Sequence, residues 1–518
     1  MDLWRIDLDR VGQSLAPVFA YLASDGTAKS MHSQGSERNS VAIVVDGSRW
    51  ADATCLVTSG DPRDARRILI IDAPIGPFSL APAVQNSIAA SVAKCESYNI
   101  DRTALDLAGI LDPEFAFALI DAEKRSIALV RDPIGARPLY WRREKNVVAF
   151  ASSRDRLIAA GPAPSINEAA VAITLASAND AWSKQELLAG FHRVPHGGYA
   201  LISRESAATG QWWRPPLSSG ERHKRDRVET ASEVRALLER AVACRLGTSQ
   251  SVGAHVSGGI DSTGVAAIGA RYLATAHRSM IGAYAWSPAL SESFPDMGWR
   301  DERRRIEAFT SKEGVPARFG GATAEDLVAF LSRPIELEGT ADLADEMPVL
   351  QLAKTDGVQI MLSGWGGDEV FSSHGLSYLS HLLATLQWAR AVRWIRAELR
   401  TLKQVGPLAT LLWWSGVHPM LPDALHRMFD PYGVSDPKRS LISPALLRMH
   451  RAQVYDVSHA FRVTSRANET MFKHFMVGHI THRIETWDVW SRQYGFRYTY
   501  PLTDWRLIEK LLSLSPEE

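Results

Sequence analysis

"HVSGGIDST", residues 255–263, sets two adjacent glycines between serines, adds an aspartate, and runs into Gly264-Val265-Ala266-Ala267, an apolar, helix-like segment. The preceding "SVGAHV" (251–256) reads as a buried strand, so the glycines stand at a strand-to-helix turn. Without a Cβ, Gly258 and Gly259 allow backbone N–H groups to close on a polyphosphate, and the following helix adds its N-terminal dipole to the same anion. Ser257, Ser262 and Thr263 supply hydroxyl donors. Asp261 is repelled by phosphate but suited to a Mg²⁺ that bridges phosphate oxygens. The bland alternative is a plain glycine turn. No G-x-x-x-x-G-K-[ST] occurs, so the loop suits pyrophosphate with a metal better than γ-phosphoryl transfer.

Downstream, segments with strand and helix character alternate. "ETASEVRALLERAVACRL" (229–246) has the spacing of an amphipathic helix, "SMIGAYAW" (279–286) that of a strand, "RDERRRIEAFTSKEG" (300–314) a helix and "VQIMLSG" (358–364) a strand. This predicts an α/β domain over 229–518, a parallel sheet with helices on both faces. Ligands of such sheets sit beyond the carboxyl ends of the strands. "SGWGGDE" (363–369) occupies that place after a second strand, so the two loops are expected to face each other, with Asp368 completing the metal coordination begun by Asp261. Alone, this second loop is as consistent with a structural turn as with a site.

Upstream, "FAFALID" (115–121), "SIALVRD" (126–132), "GARPLYW" (135–141) and "NVVAFAS" (146–152) have the spacing of an antiparallel meander. This predicts an antiparallel β domain over 1–205. The stretch 206–228, rich in Ser, Gly, Pro and charge, reads as the connection. Lys plus Arg equals Asp plus Glu at 58 each, so no overall field argues for nucleic acid or an anionic membrane as partner. Cys55, Cys95 and Cys244 are far apart and form no C-x-x-C pair, so neither a disulfide framework nor a thiolate metal site is indicated. "MDLWRIDLDR" lacks a signal-peptide apolar region, and "LATLLWWSGV" (408–417), too short for a bilayer, reads as a buried helix. A cytoplasmic location is expected.

"LLERAVACRL" (237–246), "VGAHVSGGIDST" (252–263), "VQIMLSGWGGDEVF" (358–371) and "YPLTDWRLIEKLLSL" (500–514) together resemble the synthetase domain of the glutamine-dependent asparagine synthetase family, an ATP pyrophosphatase (PP-loop) fold. "FAFALIDAEKRSIALVRDPIGARPLYW" (115–141) and "RVPHGGYALI" (193–202) resemble its N-terminal, Ntn-type glutaminase-like domain. The resemblance implies an ATP-dependent carbon–nitrogen ligase: a carboxylate becomes an acyl-adenylate, pyrophosphate leaves, and an amine attacks. It implies that Ser257, Gly258, Gly259, Asp261 and Ser262 grip pyrophosphate, that Asp261 and Asp368 bind Mg²⁺, and that Ser363 and Gly364 lie by the nucleotide.

Departures from the family pattern sharpen the expectation. A working glutaminase domain of this family carries a cysteine at its mature N-terminus; here residues 2–5 are Asp-Leu-Trp-Arg, so glutamine hydrolysis is expected to be absent. Trp365 stands where asparagine synthetases carry an acidic residue. Either the indole contacts a bulky substrate beside the activated carboxyl, or it packs the loop. His374 replaces a usual tyrosine and reads as structural. The family has a lysine beyond the last matching segment, whereas here Lys510 is the last lysine: either the C-terminus is cut short or another cation substitutes, and Lys510, in a helix-like run, is not assigned the role.

With the "YAWSPALS" segment (284–291), these features look most like the lasso-peptide cyclase branch. That resemblance implies a macrolactam cyclase acting on a precursor peptide, with a leader peptidase and a leader-binding protein as partners. β-Lactam or asparagine synthesis is the alternative, and a non-catalytic ATP-binding peptide scaffold a further one. Trp388, Trp394, Trp413 and Trp414 either line a peptide groove or belong to the core.

Overall fold

The computed structural model describes residues 105–515 apart from short stretches, the longest being 177–185, 218–225, 333–343 and 430–440, and before residue 105 the backbone of five strands. The N-terminal region contains β1 (Trp4–Asp7), β2 (Met31–Gln34), β3 (Val41–Val44), β4 (Thr54–Thr58), β5 (Arg67–Asp72), β6 (Ala116–Asp121), β7 (Ser126–Arg131), β8 (Tyr140–Glu144), β9 (Val147–Ala151), β10 (Phe191–Arg193), β11 (Gly198–Ser203) and β12 (Ala207–Gln211), with two helices, Arg154–Ala159 and Glu168–Ala176, between β9 and β10. A six-stranded antiparallel sheet has the order β12-β11-β7-β6-β5-β4, and a four-stranded one β1-β9-β8-β10.

The expected meander is therefore split between two sheets. Pro133 and Pro138 cannot donate to a ladder, and the Asp132 carboxylate accepts the N–H groups of Ile134, Ala136 and Arg137 at 3.0, 3.0 and 3.1 Å. The chain folds into a buried turn between β7 and β8 instead of continuing as strand. A second correction concerns 206–228. That stretch begins with β12, an edge strand paired to β11, and Trp212 and Trp213 just after it are buried against the N-terminal sheet and the core beyond it.

The C-terminal region contains α1 (Arg227–Leu246), β13 (Val252–His255), α2 (Ile260–Thr275), β14 (Gly282–Ala285), α3 (Arg303–Glu313), β15 (Ala317–Phe319), α4 (Met347–Thr355), β16 (Ile360–Leu362), α5 (His479–Tyr494), β17 (Arg497–Thr499) and α6 (Trp505–Ser513). The five strands are all parallel, in the order β15-β14-β13-β16-β17. Alternation along β13 and β14 divides the packing: Val252, Ala254, Ala283 and Ala285 meet α1, α2 and α3 through Val242, Val265 and Ile306. Tyr284, Met361 and Tyr498 meet α4 and α5 through Leu350, Ile484 and Trp487 on the opposite face.

The run 408–417 is helical but not buried, since Leu408, Trp414 and Val417 are 46%, 58% and 43% exposed. One side packs, where Gly416 approaches Leu379 and Leu383. Of the four tryptophans, Trp388 is also exposed, whereas Trp394 packs on a small cluster of Leu379, Leu382 and Ala391. Among the described residues, no helix is long and apolar enough to cross a membrane.

Candidate functional site

The strand order reverses direction at β13: β14 lies to one side and β16 to the other. At such a switch point the loops leaving neighbouring strands diverge and open a crevice at their carboxyl ends. The loops here are Ser257–Gly259, entering α2, and Ser363–Gly367. Gly258 takes φ +78°, and a Cβ there would lie 2.8 Å from the Glu302 carbonyl, so the first turn demands glycine on both counts.

Hydroxyls close the first loop. Ser257 and Ser262 hydroxyl oxygens are 3.1 Å apart, the Ser257 N–H donates to Ser262 Oγ at 3.1 Å, and the Gly259 N–H donates to Ser257 Oγ at 3.3 Å. Thr263 donates to the Gly259 carbonyl at 2.5 Å, tying the first turn of α2. No side chain caps that helix, so its N-terminal N–H groups face the crevice without a side-chain acceptor. This is the arrangement that receives an anion.

The second loop lies directly on the first. A Cβ on Gly364 would be 2.4 Å from the Ser262 nitrogen, and one on Gly367 would be 2.1 Å from the Asp261 carboxyl carbon, so any side chain at either position would force the loops apart. Ser363 is buried; its N–H donates to the Thr499 carbonyl at 3.0 Å and its hydroxyl accepts from the Trp365 N–H at 3.3 Å. The contact brings Asp261 to Asp368 and Glu369. Burial, and then the charges of Asp368 and Glu369, raise the Asp261 carboxyl above its ordinary range.

Among the described residues, no group of three or more His, Cys, Asp or Glu is set to hold a metal ion by itself. Two carboxylates beside an anion-receiving loop are nonetheless the donor set expected for Mg²⁺, which takes one or two carboxylates and completes its shell with phosphate and water. The mutual repulsion at Asp261 fits a cation there.

Trp365 is partly buried. Its ring meets Trp487 edge to face, with centroids 6.1 Å apart at 88°, and the Arg483 guanidinium lies 4.6 Å over its face. The indole thus packs the loop onto α5. His374 falls outside the described residues. Lys510, on α6, is ion-paired to Glu233 of α1.

Several neighbours of the site carry no sequence signal. Arg303 donates to the Pro288, Phe294 and Pro295 carbonyls at 3.2, 3.0 and 2.8 Å and pairs with Asp301, which holds the loop after β14 beside the glycine turn. In sequence it is one basic residue in "RDERRR". That loop and the start of α2 leave Trp286, Phe294, Met297 and Ile260 exposed at 50%, 52%, 82% and 91%. His255 stacks on Trp487 at 5.4 Å, contacts the Tyr498 hydroxyl at 3.3 Å and reaches Glu346 at 3.5 Å.

Residues 233–518 match the family described as asparagine synthase, and residues 101–213 the family described as glutamine amidotransferase domain. A putative asparagine synthetase (glutamine-hydrolyzing) of Mycobacterium tuberculosis is 28% identical over 273 residues, covering 50% of this chain and 39% of that protein. Asparagine synthetase (glutamine-hydrolyzing) 1 of Arabidopsis thaliana is 25% identical over 281 residues, covering 52% and 41%. The chain thus spans less than half the length of these relatives. A solved glutamine phosphoribosylpyrophosphate amidotransferase from B. subtilis, complexed with ADP and GMP, covers 51% of this chain and 72% of its own at 12% identity and a TM-score of 0.22.

Proposed function

The chain belongs to the asparagine synthase family, which it matches over residues 233–518, and from that membership we propose that it activates a carboxylate with ATP for attack by an amine. The observation that carries this reading is the contact of the two loops at the strand-order reversal, where Gly364 and Gly367 close on Ser262 and Asp261. In the first step a substrate carboxylate oxygen attacks the α-phosphorus of ATP, and the bond from that phosphorus to the bridging oxygen breaks. Pyrophosphate leaves, held by the N–H groups at the start of α2 and the hydroxyls of Ser257 and Ser262. An amine nitrogen then attacks the acyl carbon, AMP departs, and the nitrogen loses a proton.

Asp261 and Asp368 would hold Mg²⁺, which when bound neutralises charge on the phosphates. Ser363 and Gly364 would lie beside the bound nucleotide. The first test is ATP consumption with substrate, resolved into AMP and ADP: AMP with pyrophosphate is expected, and ADP as the main product overturns the reading.

For the substrate, we infer a peptide whose Asp or Glu side chain is adenylated and whose own N-terminal amine closes the ring, as in the lasso-peptide cyclases that the sequence resembles. The exposed apolar side chains beside the glycine turn, Trp286, Phe294 and Met297, support a bulky, partly apolar substrate over free aspartate. A leader peptidase and a leader-binding protein would supply that peptide. Incubation of a leader-free precursor with enzyme, ATP and Mg²⁺ should remove one water per peptide, with fragmentation placing the new amide between the N-terminus and an internal Asp or Glu. Efficient use of free aspartate with ammonia, with peptides ignored, would instead establish the small-molecule amidoligase reading.

A further inference from the structure

Glu114 lies far from both loops in sequence, in the N-terminal region, immediately before β6. It is fully buried, and its partners come from both halves of the molecule. Arg245 of α1 donates Nε to Oε1 at 2.7 Å, and Arg137 donates Nη2 to Oε2 at 3.1 Å. The Thr499 hydroxyl and the Tyr500 backbone N–H, at the end of β17, also donate to Oε1 at 2.8 and 3.0 Å. Burial alone would raise this carboxyl, but Arg245, Arg137 and the Tyr500 N–H together hold it below the ordinary glutamate range.

The segment that Glu114 grips is the seat of the second loop. The Thr499 carbonyl accepts the N–H of Ser363, where that loop begins. Four residues on, the Thr503 side chain fills the space beside Gly366, whose Cβ would lie 2.3 Å from Thr503 Cγ2. Asp504, which caps α6 by accepting the Arg506 N–H at 3.0 Å, is held from below by Arg245 at 3.1 Å. Glu114 and Arg245 therefore fix Thr499 to Asp504 at both ends, and Thr499 to Asp504 supports Ser363 to Asp368.

We propose that Glu114, a carboxylate supplied by the N-terminal region, is a positioning residue for the nucleotide site: through Thr499, Tyr500 and Arg245 it sets the distance of the Ser363–Asp368 loop, and so of Asp368, from Asp261. The inference rests on reading the two loops as the ATP site. It gives the N-terminal region a part in the reaction that needs no glutamine chemistry. Glu114 touches neither loop directly, so its effect passes through hydrogen bonds whose removal leaves the loops' own residues intact.

The test is calorimetric titration of the full-length chain with ATP and Mg²⁺, comparing wild type, Glu114→Gln, Asp368→Asn and the double variant, each at a temperature where thermal unfolding shows it folded. Glu114→Gln is expected to weaken Mg·ATP binding by about tenfold, the loss of one charged hydrogen-bond anchor. The double variant should bind no more weakly than Asp368→Asn alone, because once the loop carboxylate is gone its position no longer matters. A merely structural role would make the losses multiply. Multiplying losses, or Mg·ATP affinity in Glu114→Gln equal to wild type, overturn the proposal and leave the site reading standing. Wild-type affinity in Asp368→Asn overturns both. If Glu114→Gln does not fold, Thr499→Val takes its place, removing the hydroxyl link while keeping every charge; about a threefold loss, again absorbed by Asp368→Asn, is expected, and no loss overturns the proposal.

Discussion

Two regions of this molecule gather carboxylates, and they treat them in opposite ways. Between the N- and C-terminal regions, acids alternate with guanidinium groups: Asp488, Arg137, Glu114, Arg245 and Asp504 form one buried chain. Glu485 is ion-paired with Arg131 and Arg193 and accepts the Tyr140 hydroxyl in another. At the mouth of the parallel sheet, Asp261 instead meets Asp368 and Glu369. In the first arrangement every charge is met by an opposite one, so its charges hold two regions in one geometry. The second is repulsive in the protein alone, which leaves it disposed to accept a cation. Opposite charges paired in burial mark structure here, and like charges gathered around Asp261 mark the candidate site.

The largest expected effect breaks the paired side. Arg245→Met leaves Glu114 and Asp504 buried without their shared guanidinium and should destabilise the fold by about 3–5 kcal/mol, the usual outcome of removing one member of a buried pair. Denaturant unfolding measures it, and a midpoint equal to wild type would mean that the network is not holding the interface. Next comes the repulsive side. Asp368→Asn should lower the rate of AMP formation by about a hundredfold, while stability stays within about 0.5 kcal/mol of wild type because Asp368 is exposed. A large loss of stability with little loss of activity would reverse the assignment of the two regions.

The contrast also explains what the sequence disclosed. The glycine loop, its partner "SGWGGDE" and the strand–helix alternation are local patterns, each dictated by a backbone turn or a side-chain period, and the parallel sheet with facing loops followed from them. The interface network has no such signature: Arg137 and Asp488 are 351 residues apart, and nothing in the neighbours of either marks the other. Glu114 was invisible for the same reason. The strand β12 hid within a turn-rich composition because an edge strand needs few apolar residues, and its anchors are the two tryptophans that follow it. The meander was legible as strands but not as two sheets, since the division depends on the Asp132 carboxylate folding a turn over Pro133 and Pro138.

Acidification separates the regions again, with a smaller effect and opposite origins. In the interface, burial works against Glu485, but Arg193, Arg131 and Arg154 outweigh it and hold the carboxyl down to about 2, below its ordinary 4.5. A depressed folded-state pKa contributes stability that is present above 4.5 and is lost as pH falls toward 2. Glu114 and Glu186 are depressed as well and act in the same direction. Asp261 is instead raised above its ordinary range, chiefly by burial and then by Asp368 and Glu369. Mg·ATP affinity should therefore weaken as pH falls and Asp261 takes up a proton, by at most about tenfold per pH unit, along a profile distinct from that of the interface. Calorimetric titration and unfolding midpoints across the same pH series compare the two. Coincident losses would show that the site weakens only because the fold does.

The smallest effect belongs to Trp365, where the two regions touch. Its backbone lies in the repulsive loop, yet its ring packs on Trp487 and Arg483 of α5, the helix that carries Glu485 and Asp488. Substitution by alanine would remove both roles at once, so the informative change is Trp365→Phe, which preserves a ring to meet Trp487 edge to face and removes the indole N–H and part of the area. If packing is the whole role, stability should fall by less than about 1 kcal/mol, with Mg·ATP affinity and the rate of AMP formation unchanged. If the indole also meets the carboxylate substrate, the same variant should raise KM for that substrate severalfold while Mg·ATP affinity stays the same, because the ring is only partly buried and its residue lies on the loop between Ser363 and Asp368. Loss of Mg·ATP affinity in Trp365→Phe would contradict both roles and make the ring part of the nucleotide site itself. The ordering of KM, ATP affinity and unfolding midpoint in this one variant thus tells whether the loop's aromatic side chain belongs to the holding half of the molecule or to the reacting half.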